Sequence, residues 1–190
     1  MLNIESIQEK FLFFYKFLRS PGRIGSVTPS SRFLATTMVD AISWDEVTSA
    51  AELGAGTGAI TSYIQLAKKE DTKVLLFEAD RLMRERLADK YPEFASYPDC
   101  RDIQEAVHKE KLGQLDCILS GLPFFNFTQD LREEILEQVV TSLKDDGWFV
   151  AFQYSQQMRR RLEELFCIEE IKFVPMNVPP AFVYICRKKG

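Results

Sequence analysis

Apolar and polar residues alternate in blocks along this chain, and the length and period of each block assign it an element. Short continuous apolar runs at 49–53, 73–77, 114–119 and 148–154 are bounded by turn residues, the pattern of strands covered on both faces. Longer amphipathic blocks lie between them. Ile60, Tyr63, Ile64 and Ala67 recur at three- and four-residue spacing, as do Leu82, Met83, Arg86 and Leu87, and then Ile135, Leu136, Val139, Val140 and Leu143. Asp130 and Gly147 bracket the last of these as start and stop signals. Strand alternating with helix predicts parallel pairing through right-handed crossovers, and so an α/β sheet with helices on both faces.

Both ends of the chain break this rhythm. Runs at 167–174 and 181–186 are joined by Pro175-Met-Asn-Val-Pro-Pro180 with no helix between them. A parallel return needs about a dozen connecting residues, so the pattern predicts a terminal antiparallel hairpin. At the front, Ile4, Ile7, Phe11, Phe14 and Leu18 form a helical stripe, widened by Leu12, Phe13 and Phe17 and flanked by Lys10, Lys16, Arg19 and Arg23. Such a basic amphipathic helix suits a bilayer interface, and equally a place packed on the sheet.

Composition narrows the class. The 190 residues are 46% hydrophobic and 27% charged, ordinary for a globular domain, and no run of about 20 uncharged apolar residues is present to span a bilayer. With no repeat, linker or secretory leader in view, the chain reads as one cytoplasmic domain over 1–190. Cys100, Cys117, Cys167 and Cys186 lack Cys-x-x-Cys spacing and His108 is the single histidine, so no metal site is expected. Cys117 and Cys186 fall in apolar runs and read as buried, and His108 falls in a polar run and reads as surface. Net charge is −4, yet residues 1–32 carry five basic side chains against Glu5 and Glu9. That asymmetry points to an anionic partner at one end, such as a membrane surface, and not to a nucleic-acid groove. The oligomeric state leaves no signature.

The densest chemistry is Ala50-Ala-Glu-Leu-Gly-Ala-Gly-Thr-Gly-Ala-Ile-Thr61, a strand running through three glycines into a helix. Glycine at 54, 56 and 58 allows a sharp turn and close approach to a ligand. About twenty residues on, Glu78 and Ala79 stand at the tip of the second strand, where a carboxylate accepts the hydroxyls of a ribose. Gly54-x-Gly56-x-x-Ala59 also fits a dehydrogenase fingerprint. Against that, Glu52 suits a cofactor bearing an ammonium group and would repel a pyrophosphate, and about 110 residues after Glu78 leave little room for a substrate domain. Asp102 and Ile103 stand where a third strand should end, suited to the amine and ring face of adenine. Ser120-Gly-Leu-Pro-Phe124 leaves the fourth strand at the ligand edge of the sheet. There Ser120 and the carbonyls near Leu122 suit an amine acceptor, and Phe124 and Phe125 either wall its pocket or belong to the core.

These residues resemble a known family. Glu52-Leu-Gly-Ala-Gly-Thr-Gly58 resembles the first motif of class I methyltransferases, and Ser120-Gly-Leu-Pro-Phe124 resembles the Asn-Leu-Pro-Tyr turn of rRNA adenine dimethyltransferases. With Ser20-Pro-Gly-Arg-Ile-Gly-Ser-Val-Thr-Pro-Ser-Ser-Arg-Phe-Leu-Ala35 and Asn177-Val-Pro-Pro-Ala-Phe-Val-Tyr184, the chain is most similar to bacterial phospholipid N-methyltransferases, over residues 11 to 188. The resemblance implies a Rossmann-like seven-stranded sheet over 33–190, mostly parallel. It implies S-adenosylmethionine as donor and the amine of a lipid headgroup such as phosphatidylethanolamine as acceptor. Residues 1–32 would supply a membrane-docking helix (4–19) and a loop, including Ser26, that covers the cofactor. Glu52, Gly54, Ala55, Gly56 and Gly58 would hold its methionine and sugar portions, Glu78 and Ala79 its ribose, Asp102 and Ile103 its adenine. Ser120, Leu122 and Phe124 would face the acceptor, with Ser120 also beside the cofactor. Two other readings stay open: an rRNA adenine N6-methyltransferase, disfavoured by Ser120 in place of an amide and by acidic net charge, and a non-catalytic cofactor-binding module.

Overall fold

The computed structural model describes residues 31–190. The Ile4–Leu18 stripe, the 4–19 membrane contact and Ser26 with its covering loop therefore lie outside the described residues.

Seven strands form one sheet: β1 (Ser49–Leu53), β2 (Lys73–Phe77), β3 (Ala95–Tyr97), β4 (Leu115–Ser120), β5 (Leu143–Gln153), β6 (Phe166–Val174) and β7 (Ala181–Lys188). Their order is β3-β2-β1-β4-β5-β7-β6. The first five are parallel, and β7 runs antiparallel between β5 and β6, as the expected hairpin requires. Successive side chains of a strand point to opposite faces, so each face acquires its own core. Ala50, Cys117, Leu119 and Val150 build one layer beneath helices α1 (Arg32–Val39), α2 (Thr61–Ala67) and α3 (Arg81–Lys90). Ala51, Leu53, Ile118 and Phe149 build the other beneath α4 (Ile103–Lys109), α5 (Gln129–Ser142) and α6 (Arg159–Leu165). Coverage on both sides is why β1 is buried at all five positions and reads as a continuous apolar run. Cys117 and Cys186 are buried within it and His108 is exposed, as expected.

Helix starts follow local chemistry. The side chains of Ser31, Asp80 and Thr128 accept from the backbone amides of Leu34, Met83 and Leu131, capping α1, α3 and α5. Two expectations need correction. The third strand is the three-residue β3, and residues 100–102 form a single 3-10 turn from which Ile103 opens α4. Asp99 stops the chain from extending there, because its carboxylate accepts from the Arg101 amide and pairs with the Arg101 guanidinium. Ile103, Ala106 and Val107 then bury at helical spacing. Likewise α5 stops at Ser142 and not at Gly147, since Leu143 pairs with Leu115 as the first residue of β5. The ladder resumes at Cys117 and Trp148, with the intervening residues of β5 looped outward.

Strand order reverses between β1 and β4. In an open α/β sheet this switch point leaves a crevice at the carboxyl ends of the strands, where ligands bind. The chain leaves β1 through the glycine loop and β4 through Gly121-Leu-Pro, so both stretches meet at that crevice.

Candidate active site

The loop after β1 is tied to the tip of β2. The amides of Gly54 and Ala55 donate to the Phe77 carbonyl at 2.8 and 3.1 Å, and the Gly56 amide donates to Oε2 of Glu78 at 2.7 Å. Oε1 of Glu78 accepts from the Asp80 amide at 2.9 Å. These bonds hold Gly54, Gly56 and Gly58 at φ of +75°, +56° and +81°. Gly54 is required twice over: its φ is left-handed, and a Cβ there would lie 2.9 Å from Cδ2 of Leu122 in the turn after β4. A side chain at 54 would displace the Leu122 side chain on the other side of the crevice.

Glu52 occupies the next position inward. It is buried, its Oε2 accepts from the Thr61 hydroxyl at 2.6 Å, and its Oε1 has no partner among the described residues. Burial foremost, with the neighbouring Glu78 charge assisting, pushes its pKa up to about 8. A half-satisfied carboxyl in the wall of a cavity is the exception among buried polar groups, and it suits a cationic ligand group that would supply the missing bond.

On the opposite side, the turn after β4 is braced from within. The Gly121 amide donates to the Leu53 carbonyl and the Leu122 amide to Oγ of Ser120 at 3.3 Å. The Leu122 carbonyl accepts from the Phe124 amide at 2.9 Å and from Nε2 of Gln153, at the end of β5, at 2.8 Å. Both acceptor directions of that carbonyl are therefore occupied. It is not free to hold an amine.

A cavity of about 480 Å³ opens between these two sides, within the range of small-molecule sites. Of the residues anticipated from sequence, Glu52, Gly54, Ala55, Gly56, Glu78, Ala79 and Leu122 line it. Gly58, Asp102, Ile103, Ser120 and Phe124 do not. Gly58 shapes the loop. Ile103 is fully buried in the helix layer, and with Asp102 it is replaced at the wall by Asp99 and Cys100, because β3 already ends at Tyr97, five residues before Asp102. Ser120 is buried and turned toward its own turn, which makes it a brace. Phe124 is core, set edge-to-face with Phe127 at 6.1 Å, and Phe125 points to solvent. The cavity's aromatic faces come instead from Phe77, Phe127 and Phe152, which sit one per separate element and carry no sequence motif. Met83 and Leu131 were missed for the same reason.

The sequence profile of the methyltransferase small domain matches residues 23–173. The chain belongs to this family. Over 187 residues this methyltransferase is 34% identical to the ornithine lipid N-methyltransferase of Singulisphaera acidiphila, spanning 95% of this chain and 97% of that one. Its fold matches the N-methyltransferase NodS of Bradyrhizobium japonicum, solved with S-adenosyl-L-homocysteine, at a TM-score of 0.70 and 13% identity over 95% of this chain and 98% of NodS. It also matches the 1,6-didemethyltoxoflavin-N1-methyltransferase of Burkholderia thailandensis, solved with 1,6-didemethyltoxoflavin and S-adenosylhomocysteine. There the TM-score is 0.68 at 15% identity, over 98% and 89% of the two chains. At such identities the two structures speak for the fold alone. The seven-stranded, mostly parallel methyltransferase sheet implied by the sequence is the fold observed.

Proposed function

We propose that this methyltransferase moves a methyl group from S-adenosylmethionine to the amine nitrogen of a lipid headgroup. The observation that carries the reading is Oε1 of Glu52, an unpartnered carboxylate oxygen in the cavity wall beside a glycine loop. S-adenosylmethionine is the cofactor that fits this cradle. Glu52 takes its ammonium, Glu78 its ribose hydroxyls, and Asp99 and Cys100, with Pro98, its adenine. Bound there, it supplies an electrophilic methyl group on a positively charged sulfur.

The chain's own residues position and shield. Gly121, Leu122 and Pro123 form the acceptor-side wall, and Ser120 and Gln153 hold that wall in place. The ring faces of Phe127 and Phe152 give a cationic amine product a favourable surface without a hydrogen bond. No histidine lines the cavity, so the amine arrives neutral or loses its proton to water, and rate comes from orientation and exclusion of solvent. The curated relative's name supports an aminolipid acceptor, with ornithine lipid and phosphatidylethanolamine as the two headgroups to compare. The basic stripe at 4–19 supports contact with an anionic membrane on the cytoplasmic side.

The test is transfer of labelled methyl from S-adenosylmethionine to vesicles holding phosphatidylethanolamine or ornithine lipid, to RNA with unpaired adenines, and to soluble amines. Label in an aminolipid is the expected result. Label confined to RNA, or found in no acceptor while the cofactor binds, overturns the reading.

A further inference from the structure

The described residues leave seven large apolar side chains exposed. Leu66, at the end of α2, lies at the edge of the sheet away from the site. The other six lie at the site's own edge. Leu82 stands in the first turn of α3 after β2, Phe125 lies in the 3-10 turn after β4, and Phe173 is the last residue but one of β6. Met176 and Val178 form the tip between β6 and β7, and Phe33 opens α1 beside that tip. Apolar surface concentrated around a ligand site marks an interaction face.

The hairpin tip is the most prominent part. Met176 is 62% exposed and Val178 65%, while Asn177 between them is 3% exposed. Oδ1 of Asn177 accepts from the Ser31 amide at 2.9 Å, and its Nδ2 donates to the Pro179 carbonyl at 2.7 Å. The inward asparagine fixes the loop, so the methionine and valine are held outward at little further entropic cost on binding. The tip also adjoins the cavity wall. Phe152 lines the cavity, Gln153 beside it pairs with Phe182, and the Phe182 ring packs on Phe173 at 5.1 Å. Residues 1–30 enter the fold at Ser31, the residue bonded to Asn177, and carry Lys10, Lys16, Arg19 and Arg23 against Glu5 and Glu9. A basic segment therefore begins at an apolar tip.

We infer that the β6–β7 tip is a lipid-docking surface, Met176 and Val178 entering the acyl boundary of an anionic bilayer and holding the mouth of the site against it. This rests on the lipid-acceptor reading, since an acceptor anchored in a bilayer requires the site to come to the membrane. Apolar side chains supply insertion, and the cations of the 1–30 segment, joined in sequence to Ser31, supply attraction to anionic headgroups.

The experiment uses the full chain with vesicles of phosphatidylcholine mixed with phosphatidylglycerol, read by co-sedimentation, and cofactor binding by calorimetry as the check on folding. M176D/V178D should lower vesicle partition about tenfold with cofactor affinity unchanged, and Leu66→Asp should change neither. M176W should raise partition, a gain that a folding defect cannot mimic. Unchanged partition in both tip variants overturns the inference, as does a wild-type chain that ignores the vesicles. It is equally overturned if the double variant abolishes self-association in ultracentrifugation while vesicle binding persists. Methylation of a water-soluble short-chain aminolipid separates the two claims. If it proceeds while the tip variants still bind vesicles, docking fails and the acceptor stands. If vesicle binding needs the tip but no aminolipid is labelled, the acceptor reading fails and docking stands.

Discussion

The hydroxyl of Thr61 donates to Oε2 of Glu52 at 2.6 Å, and the other oxygen of the same carboxylate is unpartnered among the described residues. One bond fixes the orientation of the group and leaves its second oxygen directed to chemistry that the fold itself does not provide.

A pH dependence of stability follows. Burial, with the neighbouring Glu78 charge, raises the pKa of Glu52 from 4.5 to about 8 in the folded chain, so between those values the folded state holds a proton the unfolded state has released. Stability without cofactor should therefore fall as pH rises through that window, by up to a few kcal/mol, and level off above about pH 8. Glu52→Gln should flatten the slope and, unable to release a proton and meet the ammonium as a carboxylate, weaken cofactor binding about tenfold or more. Urea unfolding across the window, with calorimetry at its centre, reads both.

Gly54→Ala should weaken cofactor binding through the backbone. The substitution places a Cβ at a φ of +75° and 2.9 Å from Leu122 Cδ2, costing about 1–2 kcal/mol in conformation before any shift of the turn. Loss of affinity with an intact far-ultraviolet circular dichroism spectrum is the expected pair of results.

Gln153→Leu should act on turnover more than on the cofactor. It deletes the 2.8 Å bond to the Leu122 carbonyl, which keeps its bond from Phe124, so stability should fall by only about 1 kcal/mol. The acceptor-side wall loses its brace. We expect kcat to fall about tenfold with the cofactor Kd unchanged, measured by initial rates and calorimetry.

Asp116→Ala should destabilise without touching the site. Desolvation raises the Asp116 pKa, but bonds from Lys144, from the Thr48 hydroxyl and from the Thr48 and Ser49 amides outweigh it and hold the value at about 2. Its stabilising effect is present above the ordinary value of 3.8 and lost as pH falls toward 2. The variant should lose about 2–4 kcal/mol at neutral pH, where stranded amides remain, and show a flatter acid-unfolding profile.

The cofactor side of the site was more legible than the acceptor side. Glu52, the glycine loop and Glu78 lie on two adjacent strand tips, and their roles depend on residue type at fixed spacing, which a sequence displays directly. Asp102 and Ile103 misled because a three-residue strand has no readable period and the Asp99 to Arg101 bonds end it early. Gln153 and Phe152 were invisible, since their importance comes from a strand beside β4 in space and far from it in the chain.

The blocks of apolar and polar residues predicted β1, β2 and β4 to β7, helices α2, α3 and α5, the doubly wound class and the terminal hairpin. Burial on two faces gives a strand a continuous apolar run and burial on one gives a helix its stripe, while neither pattern marked β3, α1, α4 or α6. Only the folded chain decided which side chains face the cavity. Ser120 and Phe124 have the right chemistry in the right turn, yet the turn's own hydrogen bonds and the helix layer claim them. Phe127, Phe152 and Asp99 take the wall by strand order and packing, long-range quantities that no local pattern encodes.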